Sequence, residues 1–114
     1  MHELSIASAI LDAVQTEAEK RPGSRVTKVV VRIGALSGVE PEALSFGFSV
    51  LVQGTMLEPL ALEIEAVPRR QRCPACDLTF DVVDDNLACP RCANGETILA
   101  GGEELDLAYL ELEE

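Results

Sequence analysis

Four cysteines and one histidine carry most of the coordination chemistry this sequence can offer. The cysteines form two knuckles, Cys73-Pro-Ala-Cys76 and Cys89-Pro-Arg-Cys92, with twelve residues between them. A two-residue gap turns both sulfurs of a knuckle toward one point, and two knuckles supply the four thiolates of a closed tetrahedral zinc site. Between them Thr79 to Val83 reads as a short strand, Asp84-Asp85-Asn86 as a turn and Leu87-Ala88 as the return. So few apolar residues lie there that the metal must supply folding energy. Three other uses of the thiols compete. Disulfides require an oxidising compartment, and no secretory signal is expected ahead of this sequence. A redox Cys-x-x-Cys opens a helix, whereas both knuckles contain Pro and lead into turns. Rubredoxin-like iron goes with a more aromatic shell than Phe80 offers. The spacing favours zinc.

The histidine is His2, in Met1-His2-Glu3. An amino terminus followed by His can offer the amine, the His2 backbone nitrogen and the imidazole to one divalent cation, with the Glu3 backbone nitrogen as a fourth donor. Four nitrogens in a plane suit Ni(II) or Cu(II) better than zinc. From spacing alone, however, an ordinary exposed terminal residue is the default reading.

These residues need elements to position them. Leu4, Ala7, Ile10 or Leu11, Val14 and Ala18 recur at helical spacing, so a helix is expected from about residue 4 to about residue 20, ended by Pro22-Gly23. Val26 to Ile33 alternates as a strand, with Val29, Val31 and Ile33 on one face and Lys28, Val30 and Arg32 on the other. Gly34 to Gly38 reads as a flexible loop. Glu40-Pro41-Glu42 opens a second helix that closes at Gly54, and there Glu40 has a structural use as a charge beside the positive helix end. Leu60 to Val67 is a second strand. The run Arg69-Arg70-Gln71-Arg72 is too short and isolated for a nucleic-acid surface and reads as a solvated hinge. After Cys92, Thr97-Ile98-Leu99 is a short apolar run and Gly101-Gly102 a hinge. From Glu104 to the end, Leu105 and Leu107 fall on one face but Leu110 and Leu112 on the other, which predicts a strand with a bulge near Ala108-Tyr109.

The order implies an α+β fold: a small mixed three-stranded sheet covered by two helices, with a four-cysteine zinc-ribbon subdomain inserted between strands two and three. Residues 1–67 plus 103–114 form the α/β domain and 68–102 the ribbon. With 114 residues, no Trp and 4% aromatics, the core must be aliphatic. No apolar run is long enough for a membrane helix, so no membrane partner is expected. A net charge of -11 repels nucleic acid over most of the surface. No triad, phosphate loop or paired-carboxylate setting suggests an enzyme.

The Met1-His2-Glu3-Leu4-Ser5 start, Val-Val-Val-Arg-Ile-Gly34 followed by Leu36-Ser37, and the paired knuckles before an acidic leucine-rich end together resemble the HypA/HybF family of nickel-insertion accessory proteins for NiFe hydrogenase. The likeness spans the chain. It implies a cytoplasmic nickel metallochaperone with no catalytic residues, carrying Ni(II) as cargo and Zn(II) as a structural ion. His2 becomes a nickel ligand, with Met1 and Glu3 as neighbours in the site and Glu40 matching an acidic residue associated with nickel in the family. The zinc ligands carry over to Cys73, Cys76, Cys89 and Cys92. Implied partners are a nickel-binding maturation GTPase, the hydrogenase large-subunit precursor and, in some relatives, urease maturation proteins. The alternative is a zinc-ribbon module that binds protein or RNA without handling nickel.

Overall fold

The computed structural model describes residues 2–113. Two helices and six strands occur in the order α1 (Glu3–Glu19), β1 (Arg25–Gly34), α2 (Pro41–Val52), β2 (Ala61–Val67), β3 (Arg70–Arg72), β4 (Thr79–Asp81), β5 (Ile98–Gly101) and β6 (Leu105–Glu113). They fall into two compact units. One holds the described residues up to Arg32, Gly38–Glu65 and those from Asp106 on; the other holds Ile33–Ser37 and Ala66–Leu105.

The first unit is a three-stranded sheet, order β2-β1-β6, with the two helices. Ion pairs reveal the strand directions. Lys28 with Glu63 and Arg32 with Glu65 advance together along β1 and β2, so that pair is parallel and needs the crossover that α2 provides. Lys28 with Glu111 and Arg32 with Asp106 run in opposite senses, so β6 is antiparallel to β1 and the sheet is mixed. Arg25 with Glu113 and Arg32 with Asp106 lie seven positions apart on both strands. Ala7, Ile10 and Val14 from α1 and Leu44, Phe48 and Val52 from α2 are buried with Val29 and Val31. Val30 is buried too, between Lys28 and Arg32 on the polar face, where long cationic side chains can cover it with their stems. Where α2 crosses the start of α1, Gly47 has no side chain, and a methyl added there would touch Leu4 Cδ1 at 3.4 Å. That close approach holds the first turn of α1 against α2.

The second unit has a sheet of order β4-β3-β5. The arginine run is its central strand rather than a solvated hinge: Gln71 pairs with Phe80 of β4 and Leu99 of β5, both antiparallel. Charge did not prevent this because Arg70 and Arg72 find carboxylates within the unit, Asp81 at 2.8 Å and Asp77 at 2.9 Å. Asp84 and Asp85 both have positive φ (53° and 58°) and join Val83 to Asn86, as a two-residue hairpin turn requires. The unit is wider than residues 68–102 because Gly34 N donates to Glu104 O, Ala35 N to Val67 O and Leu36 N to Gly102 O. Gly34 and Gly102 are thus packing glycines: a Cβ on Gly34 would lie 2.1 Å from Gly102 O.

Candidate metal centre

Each knuckle folds the same way. Asp77 N donates to Cys73 O at 2.7 Å and Ala93 N to Cys89 O at 2.8 Å, while Cys73 N donates to Leu78 O and Cys89 N to Asn94 O. The residue after each second cysteine takes positive φ, 63° at Asp77 and 64° at Ala93. These turns aim backbone N–H groups at sulfur and bring four free cysteines together, with all Sγ atoms within 4.8 Å of one another. Cys73 and Cys92 are 3.5 Å apart, as are Cys76 and Cys89. A zinc ion about 2.3 Å from each of four tetrahedral sulfurs sets them about 3.8 Å apart, so the donor set fits that ion in chemistry and in size.

The thiols are not equivalent. Burial would raise the Cys73 thiol, but the N–H groups of Cys76 and Ala75 and the Cys92 thiol stabilise its thiolate and bring it down to about 6. The Asn94 N–H opposes the rise at Cys92, yet bonding to the Cys73 sulfur and burial push it up to about 11. Cys89 is lowered despite its burial by the N–H groups of Cys92 and Arg91, and Cys76 is raised, against the lowering effect of the Leu78 N–H, by burial and by its contact with Cys89. The cluster thus pairs each lowered thiol with a raised one.

Sequence reasoning missed two supports of this centre. Asn94 Oδ1 accepts from Glu96 N at 3.0 Å, and its Nδ2 donates to Cys73 Sγ at 3.8 Å. The signal was a polar residue two positions after the second knuckle, where the first has Leu78. Gln71, 2% exposed, accepts from Arg69 Nε at 3.2 Å and donates to Thr97 Oγ1 at 3.0 Å; Thr97 in turn donates to Leu87 O. Nothing local in the sequence announces that network.

At the other end of the sequence, Met1 lies outside the described residues. His2 is exposed and is the N-cap of α1, with no side-chain capping bond; its carbonyl accepts from Ser5 N and Ile6 N. Glu3 and Glu40 are brought together, because Glu40 N donates to Glu3 Oε2 at 3.0 Å. That bond first, and the Glu3 N–H second, hold the Glu3 carboxyl below the usual range. Pro41 forces Glu40 into extended backbone (φ -87°, ψ 110°), which makes it the N-cap of α2, and its own carboxylate forms no capping bond.

A small mixed sheet with two helices makes up one unit, and a four-cysteine ribbon able to hold a metal ion makes up the other. The family model described as "Hydrogenase/urease nickel incorporation, metallochaperone, hypA" matches residues 1–112, and the chain belongs to that family. It is 43% identical over 115 residues to the hydrogenase maturation factor HypA of Roseiflexus sp. (strain RS-1), covering 100% of this chain and 94% of the relative. It is 39% identical to that of Dechloromonas aromatica (strain RCB), covering 99% and 100%. The solution structure of the Ni metallochaperone HypA from Helicobacter pylori superposes with a TM-score of 0.64 at 25% identity, over 97% of each chain.

Proposed function

We propose that the amino terminus and His2 bind one Ni(II) as cargo for insertion into the NiFe-hydrogenase large-subunit precursor, in concert with a nickel-binding maturation GTPase in the cytoplasm. The first unit handles nickel; Cys73, Cys76, Cys89 and Cys92 in the second hold structural zinc. The family match over residues 1–112 carries this reading. Local physics supports it. The first N–H groups of a helix have no partner four residues back, so the His2 and Glu3 nitrogens can give up protons to a metal without breaking the ladder of α1. The Glu3 carboxylate is engaged by Glu40 N, so the contribution assigned to Glu3 is its backbone nitrogen, while the Glu40 carboxylate is the one available to approach.

The test is a nickel titration of zinc-loaded protein with a native amino terminus. One nickel per chain should bind, more tightly as pH rises because the donors must lose protons. His2→Ala, or a few residues ahead of Met1, should weaken binding sharply with zinc content unchanged, and scarless removal of the extension should restore it. Equal affinity in all these forms would refute the site.

A further inference from the structure

We propose that the outer edge of β6 and the groove beside it receive an extended, lysine- or arginine-bearing segment of a partner protein as a fourth strand. In the order β2-β1-β6, one side of β6 pairs with β1 and the other faces no strand among the described residues. Unpaired strand edges recruit further strands unless shortened, covered or interrupted by Pro or Lys. The other edge strand, β2, has seven residues and is followed at once by Pro68, whereas β6 has nine and contains neither Pro nor Lys. Leu107, Tyr109 and Leu112 on it are 38%, 46% and 39% exposed. Beside it an open groove of about 420 Å³ runs between Ala13, Thr16 and Glu17 of α1 and Leu107 and Leu110 of β6. Apolar groups and unmatched peptide groups therefore lie along one line, the requirement for strand addition.

Charge selects the occupant. β6 carries Asp106, Glu111 and Glu113 and no cation. The cations of β1, Arg25, Lys28 and Arg32, face these three acids and Glu63 and Glu65 as well, so the sheet keeps a negative surplus. A second copy laid edge to edge would set acid against acid in a chain of net charge -11. A cationic strand meets no such penalty, and its aliphatic stems can cover Leu107 and Tyr109. The proposal requires no nickel and stands apart from the amino-terminal site.

The test uses zinc-loaded full-length protein and a synthetic nine-residue peptide alternating Val with Lys, alongside the same peptide with Glu for Lys. Tyr109 is the single tyrosine and there is no Trp, so its fluorescence reports the edge directly. The Lys peptide should perturb Tyr109, slow amide exchange along β6, and bind at least about 10-fold more tightly than the Glu peptide at low salt. Thr16→Arg, an exposed change on α1 that fills the groove and alters no residue of the sheet, should lower that affinity about 10-fold, and Leu107→Lys should do the same. Binding that leaves β6 exchange unchanged, equal binding of the two peptides, or no binding of the Lys peptide overturns the proposal. So does self-association that Thr16→Arg abolishes, which would make the occupant a second copy.

Discussion

Gly34 and Gly38 are glycines for different reasons, and substitution separates them. Gly34 has no room, since an added Cβ would meet Gly102 O at 2.1 Å and Glu104 N at 2.7 Å; Gly38 has open space but φ of +80°. Gly34→Ala should cost about 1–3 kcal/mol through forced backbone movement. Gly38→Ala should cost about 1 kcal/mol through conformational strain alone. Urea unfolding of zinc-loaded protein measures both, and equal costs would mean that the Gly34 contact relaxes freely. The thiols make a second prediction. With Cys92 pushed up to about 11 and Cys76 also raised, both must shed protons when a metal enters, while Cys73, near 6, is largely ionised at neutral pH. Zinc uptake near neutrality should release no fewer than two protons, and apparent affinity should climb as pH rises toward the Cys92 value. Calorimetry in buffers of different ionisation enthalpy counts those protons; release of one or none would contradict the upward shifts at Cys76 and Cys92.

The elements differ in how plainly the sequence announces them. α1, β1, α2 and β2 are legible in the periodic recurrence of their apolar residues, and β6 in its leucine-rich run. β3 is not, since its residues are Arg-Gln-Arg and only Asp77, Asp81 and Thr97, distant in sequence, make that run acceptable as a central strand. The same limit hid the Glu3–Glu40 bond, which joins residues 37 positions apart, while local spacing alone displayed the four cysteines. Gln71 tests the hidden part. Gln71→Ala removes the acceptor for Arg69 and the donor to Thr97 inside the ribbon, and should cost about 2 kcal/mol. It should also hasten zinc loss to a chelator while leaving the helical circular dichroism of α1 and α2 in place. Unchanged zinc release would show that the metal alone organises β3.

Across the whole molecule, charge contributes little to stability relative to its prominence. Lys28 bonds Glu111 at 3.4 Å and lies 3.6 Å from Glu63; the Glu111 bond, offset in part by desolvation, raises its pKa. Such pairs remain in contact with water, so Lys28→Met should change stability by less than about 1 kcal/mol, with the difference shrinking further in high salt. Thermal unfolding at two salt concentrations decides this, and a larger, salt-insensitive loss would mark the pair as protected from solvent. A second property of the ladder is fidelity. Apolar alternation repeats every two residues, so a two-residue slip of β6 along β1 keeps each side chain on its face and goes unpunished by burial. The cations do register it: one slip puts Ala108 opposite Arg32, and the reverse slip puts Tyr109 opposite Lys28, so only one alignment gives both a carboxylate. The ladder thus marks one alignment among those that the core alone would accept, with a preference as modest as the exposed pairs that make it.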